Sequence, residues 1–141
     1  QAPRQPDSGA GCAERVGTAP APGVGVNPTT EGAASMFDAF EVSLQLIGAL
    51  RAPVAHLQTH DADLANQLRR AASSVSLNLG EGRRRAGRDR AFMFRVAAGS
   101  AGEVRAALLV AQAWGHVEAA AVSEALGLVD RVLAMCWRLA R

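Results

Sequence analysis

Eight arginines fall between residues 64 and 104: Arg69, Arg70, Arg83, Arg84, Arg85, Arg88, Arg90 and Arg95. Three acids accompany them, Glu81, Asp89 and Glu103. A guanidinium is planar, permanently charged and able to meet a phosphate with two parallel hydrogen bonds. Arg69, Arg70, Arg83, Arg84, Arg85, Arg88 and Arg90 are therefore candidates for phosphate contacts without sequence preference. The bland reading is a solvated basic turn that aids solubility. The same stretch spaces its polar side chains. Ser74, Asn78 and Glu81 stand at i, i+4 and i+7, and Ser100 and Glu103 at i and i+3, so each set shares one helix face. These five suggest a polar layer that fixes how two helices pair. The competing reading is that they face solvent. Glu81 falls at a helix C-terminus, where the dipole disfavours an anion, so a cationic partner is expected among Arg69, Arg70, Arg84 and Arg85.

Catalytic chemistry is harder to assemble. A di-iron bundle needs Glu-x-x-His pairs, and none of His56, His60 and His116 has a glutamate three residues before it. His56 and His60 are four apart, and two imidazoles without a third ligand make an incomplete metal site. His116, beside Gly115, suits a cation at a helix C-terminus. Ser73, Ser74, Ser76 and Ser100 sit in helical runs, where hydroxyls usually bond back to the i−4 carbonyl. The run Gly80-Glu81-Gly82-Arg83 is too short and basic for the common phosphate-binding glycine loops. Phe92 and Phe94 are expected to pack inward, leaving little aromatic surface among the arginines for base stacking. The expectation is a protein without enzymatic activity, cofactor or metal.

Helices must position these residues. The first is predicted from Ser35, a plausible N-cap, to Arg51, with Phe37, Phe40, Leu44, Ile47 and Leu50 inward. Pro53 should kink or end it, with room for a short piece through Leu57. The second starts near Asp61, buries Leu64, Leu68, Ala71, Val75 and Leu79, and stops at Gly82. The third runs from Gly87–Arg88 to about Trp114, with Phe92, Val96, Gly99, Ala107, Val110, Ala111 and Trp114 inward, and Gly115 ends it. The fourth runs from Glu118 to Leu139, with Val122, Leu126, Val129, Leu133, Cys136 and Leu139 inward. Short joints make consecutive helices antiparallel neighbours. The fold class is all-α: an antiparallel up-down four-helix bundle over residues 35–141.

Residues 1–34 hold five of the six prolines and almost no large apolar side chains, so they read as a disordered tail. The tail carries −1 and the remainder +3, from 13 arginines against 10 acids. Residues 69–95 alone carry +6, so positive charge is focused rather than spread. There is no lysine; a high-GC genome gives the same bias. Cys12 and Cys136 form no framework, and no long apolar run suggests a signal peptide or membrane span. A reduced, cytoplasmic chain is the simple reading.

At these residues the chain resembles the four-helix bundle family of the bacterial 23S rRNA intervening-sequence proteins. The resemblance covers about residues 36–140. It is densest at Gln67-Leu68-Arg69-Arg70-Ala71-Ala72, at Ser74-Val75 through Asn78, and at Glu81-Gly82 with Arg84 or Arg85. It resumes at Phe94, Ala97 or Ala98, Gly99-Ser100 and Glu103. The chain departs from it at Ser76, where proline is common, at Gly80, where alanine is usual, and at Arg105, where a second glutamate often follows. The resemblance implies a small cytosolic bundle that forms a ring, a homopentamer. The accessory variability determinant of diversity-generating retroelements is similar to this family and binds nucleic acid and a reverse transcriptase. By resemblance, RNA or DNA and a protein such as a reverse transcriptase are the partners expected. The family carries no established activity, so it speaks to fold more than to function. The functional expectation is a ring-forming, nucleic-acid-associated adaptor. The alternative is a protein-interaction scaffold with no nucleic-acid role.

Overall fold

The computed structural model describes residues 28–141, with side chains from Asp38 onward. The tail expected over 1–34 falls mainly on residues 1–27, and these, with Cys12 and the side chain of Phe37, lie outside the described residues. Four helices follow in order: α1 (Pro28–Leu57), α2 (Ala62–Gly82), α3 (Gly87–Ala113) and α4 (Ala119–Leu139). There is no strand among the described residues. Each helix packs against two others: α1 and α3 both touch α2 and α4, which sets α1 and α3 on one diagonal. Phe40 lies against Gly80 and Ser43 against Ser76, while Ser74 meets Ser100 and Gly82 meets Phe94, so each helix advances as its neighbour recedes. This is the antiparallel up-down bundle that the patterning predicts.

The topology sorts the joints into two ends. The α1–α2 and α3–α4 joints share one end, which carries the three histidines. The α2–α3 joint shares the other with the last turn of α4, and this is the arginine end. The turns are built as their residues dictate. The Asp61 carboxylate accepts from the Leu64 amide at 2.9 Å, the expected N-cap. Gly87 (φ 54°) and Gly115 (φ 71°) take left-handed backbone that side-chain-bearing residues avoid. The last residue of α2, Gly82, is glycine for a different reason. The residue after it, Arg83, is still right-handed (φ −62°), but a Cβ on Gly82 would stand 2.6 Å from Cε1 of the buried Phe94.

The core is a stack of Leu, Val and Ala with Phe94 its one fully buried aromatic ring. Helices α2 and α4 bury the faces their periodicity predicts: Leu68, Ala71, Val75 and Leu79 on one, Val122, Val129 and Cys136 on the other. In α1 the stripe is rotated. Ala39, Val42, Leu46, Leu50, Val54 and Leu57 are buried, Phe40 and Ile47 lie at the edge, and Leu44 is exposed. The helix also begins ahead of Ser35 and continues through Pro53. Proline removes one backbone donor there, but Val54 and Leu57 beyond it enter the core, and their burial offsets that loss.

The correction in α3 is larger. Phe92, Gly99, Val110 and Trp114, expected inward, are exposed, while Phe94, Ala97, Ala98, Ala101, Val104 and Leu108 are buried with Ala107 and Ala111. Apolar residues stand all round this helix, so size alone does not mark the inner face: Phe94 is buried while Phe92 and Trp114 are not. The alanines mark it, because small side chains let its backbone lie close to α2, where Ala71 faces Ser100.

Candidate nucleic-acid interface

Arg83, Arg84, Arg85, Arg88 and Arg90 are all exposed around the α2–α3 joint. Arg85 reaches back one turn to Glu81, with its Nε at 2.8 Å and a terminal nitrogen at 2.6 Å from the same carboxylate oxygen. That pair supplies the cationic partner expected for Glu81 at the end of α2. Both side chains are about half exposed, so it orients the turn more than it stabilises it. Arg84, Arg88 and Arg90 make no ion pair among the described residues. Arg95 is exposed two turns along α3. Arg138 and Arg141 bring two more exposed cations from α4. Sequence reasoning left these two out, although the up-down topology it predicted already returns α4 to this end. Asp89 is the acid nearest the crown in sequence; Asp38 and Glu41 sit on α1, across the diagonal from α3.

Arg69 and Arg70 do not join this crown. They stand twelve or thirteen residues before Gly82, about 18 Å along α2. Arg69 donates to Asn66 at 3.4 Å, a long hydrogen bond, and Arg70 lines a shallow groove opposite Glu103. The polar layer is partly assembled. Ser74 and Ser100 share a 2.8 Å hydrogen bond between α2 and α3, and the Asn78 amide donates to both the carbonyl and hydroxyl of Ser74. Glu81 belongs to Arg85 instead, and Glu103 is exposed on the rim. A second polar contact went unpredicted. Ser43 and Ser76, both buried, lie 2.8 Å apart between α1 and α2. Ser43 already donates to the Phe40 carbonyl at 2.6 Å, so Ser76 must donate to Ser43. Its one sequence signal was a serine where the resemblance expects proline.

Phe92 changes the character of the crown. It is 57% exposed, and its helix face also carries Arg88 one turn before and Arg95 one turn after. The expected lack of exposed aromatic surface among the arginines is thus corrected. At the opposite end of α3, Leu109, Val110 and Trp114 are exposed, the last at 72%.

A family model, 23S rRNA-intervening sequence protein, matches residues 38–138. The chain belongs to this family. No curated protein and no solved structure gives a significant match. The matched span takes in all of α2 and α3 and the arginine joint between them.

Two further features of this family member bear on chemistry. At its histidine end, His116 from the α3–α4 joint lies beside His60, ring centres 6.2 Å apart, with His56 a further 4.5 Å on. His60 Nδ1 sits 3.0 Å from the His56 carbonyl and 2.9 Å from the Thr59 hydroxyl. His116 thus joins the pair that the sequence left at two, yet no group of three or more His, Cys, Asp or Glu among the described residues is set to hold a metal. The Cys136 thiol is buried against the core, and desolvation pushes it up to about 11, away from the reactive thiolate. No helix among the described residues is long and apolar enough to cross a membrane.

Proposed function

We propose that this family member is a non-enzymatic, cytoplasmic adaptor that associates with nucleic acid through the phosphates. One observation carries the reading: exposed arginines from two helices and the joint before α3 converge on one end of the bundle. Arg84, Arg88 and Arg90 provide its core, Arg83 and Arg85 flank it, and Arg138 and Arg141 extend it. Arg69 and Arg70 are secondary, since they lie on another part of α2. The family's name points to ribosomal RNA as the class of nucleic acid. Self-association into a ring would multiply this charge and raise avidity. The exposed Leu109, Val110 and Trp114 at the far end of α3 support a contact between copies that leaves the arginines clear. They also favour the second reading, a scaffold that binds only protein.

The test is binding to a labelled structured RNA across a salt series. The adaptor reading expects affinity to fall steeply with salt, and replacing Arg84, Arg88 and Arg90 by alanine should weaken binding about tenfold or more and flatten the slope. No binding at low salt overturns it and leaves the scaffold. Sedimentation of the same samples reports the number of copies.

A further inference from the structure

Phe92 is costly to leave in water, and the bundle leaves more than half of it uncovered. A phenylalanine on a lone helix face would be unremarkable, since single exposed apolar residues are common. The neighbours of this one are specific. Arg88 stands four residues before it and Arg95 three after, together on one side of it at helical spacing, while Asp89, three before, stands on the other. Arg84 and Arg90 are exposed in and beside the joint that leads into this helix. An aromatic face flanked by guanidinium groups offers a stacking surface together with the charges that hold a phosphate on either side. A paired base cannot use such a surface, because its faces are already stacked within the duplex. An unpaired base can, and stacking tolerates any base because each has a π-face.

We propose that Phe92 stacks on an unpaired base of a single-stranded nucleic acid whose phosphates are held by Arg88 and Arg95. The inference rests on the nucleic-acid reading above and adds to it a site and a strand class. The occupant is a single strand rather than a second copy of the chain because the cations near the ring, Arg84, Arg88, Arg90 and Arg95, outnumber its one acidic neighbour, Asp89. Two copies meeting there would bring like charges together. Of the exposed apolar residues suited to self-contact, Val110 and Trp114 lie 18 or more residues further along α3, about 27 Å or more away, and Leu77 and Trp137 stand on α2 and α4.

The experiment compares the wild-type protein with Phe92→Ala, Phe92→Trp and the Arg84→Ala/Arg88→Ala/Arg90→Ala variant. The probes are a labelled oligouridine, a labelled oligothymidine and a fully paired RNA duplex. Phe92→Ala should lose about tenfold in affinity for the single strands, keep the same salt slope and bind the duplex as before. Phe92→Trp should retain or strengthen single-strand binding, and should show a fluorescence change on binding beyond that of Trp114 and Trp137 in the wild type. The oligothymidine arm tells whether RNA and DNA are both accepted. The stacking role is overturned if Phe92→Ala binds single strands like the wild type while the arginine variant loses them. It is overturned too if Phe92→Ala changes the sedimentation coefficient and weakens the duplex equally, since Phe92 then serves contact between copies. Loss of all binding by the wild type at low salt is a different result and removes the nucleic-acid reading itself.

Discussion

At the scale of single residues, two sites make sharp demands. Gly82 is glycine for want of space, since a methyl group there would press on the ring of Phe94, which is itself wedged in the core. Gly82→Ala should therefore destabilise the fold by about 1–3 kcal/mol, read as a lower denaturation midpoint. Combined with Phe94→Leu, the same change should cost measurably less than it does alone. Cys136 makes a second demand, on pH. Burial raises its thiol from 9.0 to about 11, so the folded state holds a proton that the unfolded chain releases. Stability is complete below pH 9 and falls as pH rises through that window, by up to about 1.4 kcal/mol per unit. The chain contains neither lysine nor tyrosine, so few other groups titrate there. Cys136→Ala should flatten the alkaline limb of an unfolding series. Neither demand was fully legible beforehand. Gly82 announces a helix end in any sequence, but that it makes room for Phe94 depends on a residue twelve positions away. The Glu81 partner was legible, because a carboxylate in the last turn of a helix calls for a cation within one turn and Arg85 is there.

At the scale of elements, legibility followed amphipathicity. Helices α2 and α4 carry distinct apolar faces, and their core residues could be picked by spacing. Helix α3 could not be oriented that way. Its buried face is mostly alanine, and its phenylalanine and tryptophan at positions 92 and 114 point to solvent. The rule that large apolar residues mark the core fails where close backbone approach is the stronger requirement. This orientation makes a prediction. A Cβ added at Gly99 or Gly102 would meet nothing within 4 Å, so each glycine only weakens the helix. Gly99→Ala and Gly102→Ala should each stabilise the protomer by about 0.5–1 kcal/mol, seen as a higher melting temperature. A drop in melting temperature would mean that the face of α3 bearing Gly99 and Gly102 is closely covered in solution. The Ser43–Ser76 contact makes another prediction. Replacing both serines by alanine should cost less than the two single changes added together, because each single change removes one shared hydrogen bond.

At the scale of the whole molecule, four helices of 21 to 30 residues and three short joints divide the chemistry between two poles. Charge gathers at one and imidazoles at the other. The sequence disclosed the cluster at the α2–α3 joint, because those arginines are contiguous. It hid Arg138, Arg141 and His116, whose neighbours are distant in the chain and near only in the fold. The even number of antiparallel helices has a practical outcome for anyone handling the protein. The start of α1 and the finish of α4 both open at the arginine pole. A reporter or affinity handle joined directly to the end of α4 would therefore crowd the surface under study and repel or mimic its ligand. The exposed loop at 58–60 faces the other way, and is the place to attach a probe, tether the protein to a surface, or reopen the chain by circular permutation.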